Sequence, residues 1–85
     1  MNRKPIIKKH GIKLSEVKRG TIYMDGKKAE FRIVKSLGRK FFLLEDDAIG
    51  FNSFEELFAE LRRRGISVII NGHDKYGKGS VTIVL

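Results

Sequence analysis

Eighty-five residues suffice for one domain around a single core, not for two. The chain contains no cysteine, which excludes disulfide frameworks, thiolate nucleophiles and thiolate zinc sites together. A formal net charge of +8 attracts polyanions through long-range field and counterion release, without any need for sequence recognition.

The first residues, MNRKPIIKKHG, carry charge but lack the apolar core of a signal peptide, and no stretch approaches membrane-spanning length. A soluble, cytoplasmic protein without membrane association is therefore expected. Charge is unevenly spread: residues 1–20 carry +6, residues 21–44 carry +4, residues 45–60 carry −6 and residues 61–85 carry +4.

In chain order, residues 1–11 read as a basic N-terminal arm, with Pro5 and Gly11 bracketing a stretch that is either a short edge strand or disordered. Residues 12–85 read as a single α+β domain. GIKLSEVKRG suggests one helical turn with Leu14 and Val17 turned inward. A first strand, TIYM, runs into Asp25-Gly26, a dipeptide suited to the left-handed positions of a tight hairpin. The second strand, AEFRIVK, alternates: Ala29, Phe31 and Ile33 on one face, Glu30, Arg32 and Val34 on the other. The third, KFFLLE, is continuously apolar from Phe41 to Leu44, the pattern of a central strand buried on both faces.

The helix signal spans residues 53–64. Ser53 and Glu56 have capping-box spacing, and Phe54, Leu57, Phe58 and Leu61 form one apolar stripe. Glu55 and Glu56 complement the positive end of the dipole, Arg62, Arg63 and Arg64 the negative end, and Gly65 suits a left-handed stop. ISVII and SVTIVL give a fourth and a fifth strand. The expected order is β-β-β-α-β-β, a mainly antiparallel sheet or an OB-like partial barrel packed on one helix.

Between the last two strands, NGHDKYGKGS nearly reproduces a phosphate-binding loop: Gly72, four residues, then Gly77 and Lys78. Gly79 stands where the magnesium-binding hydroxyl belongs, and a β-branched run follows where a helix is needed. No nucleotide hydrolysis or nucleotide cofactor is expected. His10 and His73, without cysteine, make a poor zinc set. Glu45, Asp46 and Asp47 could hold a magnesium ion, but adjacent residues at a strand end point in different directions; a solvated acidic loop is the better reading. No metal is expected.

The basic residues define the candidate site. Lys27 and Lys28 lie at the first hairpin tip, Arg32 and Lys35 on the second strand, and Arg39 and Lys40 at the next turn. Lys75 and Lys78 flank Tyr76, a possible stacking residue, in the last loop. In an OB-like barrel, the loop between strands one and two and the loop between strands four and five flank the oligonucleotide-binding face. In both, the loops are basic here.

Over residues 21–65, FRIVKSLGRKFFLL followed by GFNSFEELFAELRRRG is similar to the three-strands-then-helix layout of AP2-like and integrase arm-type DNA-binding domains. The last two strands have no counterpart there, and no tryptophan stands on the sheet. The net charge and the two basic loops carry the expectation of function: a small non-enzymatic nucleic-acid-binding protein, for DNA or RNA. The alternative is a protein-interaction module, an inhibitor, adaptor or subunit of a larger complex, that uses its segregated acidic and basic surfaces.

Overall fold

Period-two alternation drives most of this chain into strands, and the computed structural model, which describes residues 4–85, joins them into one sheet. The elements are β1 (Ile6–His10), a short 3-10 turn (Leu14–Glu16), β2 (Arg19–Met24), β3 (Lys27–Ser36), β4 (Arg39–Leu43), β5 (Ala48–Phe51), α1 (Phe54–Arg64), β6 (Val68–His73) and β7 (Ser80–Val84). The sheet order is β1-β7-β6-β2-β3-β4-β5, and every neighbouring pair is antiparallel.

The class is α+β, with a seven-stranded antiparallel sheet and one helix among the described residues. The expected order lacks two of these strands. β5 escapes a sequence reading because it is four residues long and follows an acidic run, yet Ile49 and Phe51 alternate with Ala48 and Gly50 as a strand requires. Ile6–His10, inside the basic arm, pairs with β7 from Ile6↔Val84 to His10↔Ser80; residues 1–3 of that arm lie outside the described residues. With β1 and β5 as its edges, the sheet is open, in an order unlike an OB-like barrel. β4 is accordingly next to an edge, not central. Phe42 is buried, whereas Phe41 and Leu43 on the opposite face are only half-buried.

The strands are strongly staggered. β3 pairs with β2 through its first half, up to Arg19↔Arg32, and with β4 through its second, from Arg32↔Leu43 to Ser36↔Arg39. β2, β3, β4 and β5 form a meander; α1 then carries the chain back across the sheet so that β6 lies beside β2.

One face of the sheet holds the core. Ile22, Phe31, Phe42, Ile49, Phe51, Val68, Ile70, Val81 and Ile83 point to it and meet Leu57, Phe58 and Leu61 of α1. Phe31 and Phe42 stack with ring centroids 4.6 Å apart. Leu14 packs on this core and Val17 is buried in it, both inward as expected. Gly20 faces Gly72 across β2 and β6. A Cβ on Gly20 would overlap the Asn71 carbonyl oxygen, and one on Gly72 would overlap Val17, so this close approach admits no side chain.

The helix begins where the capping pattern places it. Ser53 Oγ accepts the Glu56 N–H at 3.3 Å. The reciprocal bond is displaced by one residue: the Glu56 carboxylate accepts from Asn52 N–H at 3.4 Å, not from Ser53. Gly65 differs from expectation, for its backbone is extended at φ −149° and ψ 152° rather than left-handed. Glycine is needed there for another reason: a Cβ would collide with the Met24 side chain. Asp25, at the β2–β3 turn, fastens the chain just beyond, accepting the N–H groups of Ile66 at 2.9 Å and Ser67 at 2.7 Å.

Candidate nucleic-acid interface

The second face of the sheet is covered by no helix or strand among the described residues. Strand alternation and pairing register put its residues into rows that cross the strands. One row crosses all seven: His10, Ser80, His73, Arg19, Arg32, Leu43 and Ala48. At about 4.8 Å per strand, it runs roughly 29 Å. A neighbouring row contains Lys8, Thr82, Asn71, Thr21 and Glu30, and the next Ile6, Val84, Ile69, Tyr23 and Lys28. Thr82 Oγ1 donates to Asn71 Oδ1 at 3.1 Å.

Arg19 and Arg32 stand directly opposite each other. Like charges so placed cost stability, and neither makes a salt bridge among the described residues. Glu30, between Lys28 and Arg32 on the same face of β3, is the one carboxylate that the strands carry on this side among the described residues. Because β4 stops at Leu43 while β3 continues past it, the sheet has a notch. It opens into a depression of about 1040 Å³ lined by Arg19, Lys28, Arg32, His73 and Glu45 among others.

The expected site residues divide between surfaces. Lys28 and Arg32 lie on the open face. Arg39 shares it, with its guanidinium close over Gly50 of β5. Lys35 and Lys40 pair across strands on the other face, and the Lys40 ammonium sits 5.5 Å from the centre of the Phe54 ring. Lys27 is paired with Met24 at the first hairpin, on the helix side by alternation. Lys75, Tyr76 and Lys78 occupy the β6–β7 loop.

The expectation that the two basic hairpins flank a common surface is corrected. The β2–β3 turn lies beside residues 65–67, at the Met24 end of β2. The β6–β7 loop follows His73, which pairs with Arg19 at the other end. They sit at opposite ends of the strands because β6 is antiparallel to β2.

The near-match to a phosphate-binding loop is organised by an aspartate. Asp74, 8% exposed, accepts the N–H groups of Lys78 at 2.7 Å and Gly79 at 3.3 Å. Burial pushes its carboxyl up, but the backbone N–H groups of Gly79, Lys78, Asp74 and Tyr76 together outweigh this and hold it below the ordinary value. An aspartate therefore occupies the donors that a phosphate would need. The ammonium groups of Lys75 and Lys78 lie 5.8 and 5.7 Å from the centre of the Tyr76 ring.

Two of the three arginines ending α1 are engaged in ion pairs. Arg63 and Arg64 pair with Glu60 at 2.8 and 3.0 Å, and Arg64 also pairs with Asp47. The hydrogen bond from Arg64, with that from Ala48 N–H, holds the Asp47 carboxyl below its usual range. Among the described residues, no group of three or more His, Asp and Glu side chains converges as a metal site would, and no helix is long and apolar enough to cross a membrane.

Arg19, Tyr23 and His73 were not among the expected site residues. Arg19, Thr21 and Tyr23 alternate with Gly20, Ile22 and Met24, so the strand signal is present two residues before TIYM. The position of His73 beside Arg19 depends on β6 lying next to β2, which no local pattern encodes. No family model matches the chain, and no curated protein or solved structure matches it.

Proposed function

We propose that this protein binds nucleic acid, without catalysis, on the open face of its sheet. The observation that carries the reading is the row across all seven strands, in which Arg19 and Arg32 stand side by side, neither in a salt bridge among the described residues. Polyanion binding relieves a repulsion that folding alone leaves in place. Lys8, Lys28 and Arg39 add positive charge on the same face, and Tyr23 offers an exposed ring.

The fold spans 33 × 29 × 23 Å, broader than a major groove of about 12 Å. A single strand laid across the sheet is the better fit, with bases against Tyr23 and half-buried Phe41 and phosphates along the arginine row. The β6–β7 loop, with Lys75, Tyr76 and Lys78, extends the path at one end.

The test is fluorescence anisotropy with labelled single-stranded and duplex oligonucleotides at two salt concentrations. The Arg19→Thr/Arg32→Thr double variant should bind more weakly, and each lost phosphate contact should flatten the slope of log K against log salt by about 0.7 on a single strand. An unchanged slope moves the interface elsewhere. No binding by the wild type even at low salt removes the reading.

A second reading rests on the apolar row Ile6–Val84–Ile69–Tyr23, exposed across four strands. Such a patch, bordered by charge, suits a protein partner. That interaction module is the function that remains if oligonucleotides do not bind.

A further inference from the structure

Beyond the last row, the β3–β4 hairpin leaves the body of the sheet. β2 stops pairing with β3 at Arg19↔Arg32, and β5 reaches β4 only as far as Lys40↔Phe51. Residues 36–39 thus overhang both neighbours. At their tip, Leu37 takes φ 53° and Gly38 φ 76°. A left-handed leucine is a steric outlier, because its Cβ crowds the following carbonyl. Asparagine or glycine would make the turn more easily. Leu37 gains no burial in return: its side chain is 103% exposed.

The surroundings point to what an exposed leucine would meet. Residues 31–44 contain Arg32, Lys35, Arg39 and Lys40 and no carboxylate. Lys35 and Lys40 oppose each other on one side of the hairpin, while Arg39 lies on the other, over Gly50. An apolar tip between two cationic flanks matches a base step between its phosphates: apolar side chains wedge between bases while basic ones hold the backbone.

We propose that Leu37 is a wedge that inserts between adjacent bases of the bound nucleic acid, with Lys35 and Lys40 on one flank and Arg39 on the other neutralising the phosphates. The inference rests on the nucleic-acid reading and gives it a specific unstacking site. Strain at residue 37 is then retained because the complex, not the free fold, uses the leucine.

The experiment uses the whole chain and an oligonucleotide carrying a fluorescent base analogue that brightens when unstacked. Wild type should raise its emission. Leu37→Asn should abolish that rise and weaken binding about tenfold, the lower end of what burying a leucine supplies. The same variant should raise Tm slightly, because asparagine tolerates the left-handed region better than leucine does. Ile66→Ser, at an equally bare position (95% exposed) beside the β2–β3 turn, should leave affinity and emission unchanged. Binding and emission by Leu37→Asn equal to wild type would overturn the wedge and leave the sheet reading standing. No oligonucleotide binding by the wild type would overturn both. Sedimentation with anionic phospholipid vesicles that is lost in Leu37→Asn, without any effect on oligonucleotides, would overturn the wedge in favour of a membrane tip.

Discussion

The two faces of the sheet are made from the same strands, and often from neighbouring residues, yet obey different rules. On the helix side, Ile22, Phe31, Phe42 and Val68 are at most 2% exposed, and a Cβ at Gly20 or Gly72 has no room. On the open side, Arg19, Tyr23, Lys28 and Arg32 are exposed, and two arginines are opposed at a cost. One face specifies the fold; the other is free of that duty and can be spent on binding. Stability measurements should therefore respond to one set of alternate residues, and binding measurements to the other.

The sharpest contrast comes from Phe42→Ala, which removes a ring stacked on Phe31 and should cost about 3–5 kcal/mol. Chemical denaturation would read it, and a loss below about 1 kcal/mol would mean that the helix-side face is not the core. Ser53→Ala should cost about 1 kcal/mol by leaving the Glu56 N–H without its cap; an unchanged denaturation midpoint would place the helix start elsewhere.

Acid should act through Asp74 more gently. Because its folded pKa is lowered, its contribution is complete above the ordinary aspartate value of about 3.9 and is lost as pH falls through the lower folded value. The melting difference between wild type and Asp74→Ala should be constant near neutrality and shrink below that value; a difference that grows with acid would contradict the geometry of the loop. Smallest in stability is Arg32→Thr, expected to be neutral or to gain a few tenths of a kcal/mol as the repulsion with Arg19 ends, while oligonucleotide affinity falls. A large stability loss would mean that Arg32 belongs to the fold.

What the sequence made legible follows the range of the interactions. The helix with its Ser53 cap, the Asp25-Gly26 turn and the faces of Phe31 and Arg32 are set by neighbours a few residues apart. Ile6–His10 and Ala48–Phe51 were harder, because both are edge strands whose pairing partners, Val84 and Lys40 among them, give no local sign. Of the candidate site, the basic positions Lys28, Arg32 and Arg39 are legible locally, but that they share a sheet face with Arg19 and His73 depends on the long return of the chain through α1. Gly65 was expected for its backbone freedom and is instead required by the Met24 side chain above it, a contact that only the folded chain contains.

The pairing of β1 with β7 has a consequence for how the molecule opens. β1 is tied to a single neighbour, and Ile7 is its one residue packed, in part, against the core. Amides along Ile6–His10 should be the first in the sheet to exchange with solvent, well before those of β2 and β6. Gly11, at φ 82°, turns the chain out of β1 and bridges Ser80, so this fraying is bounded by the first buried residues beyond it, Ile12 and Val17.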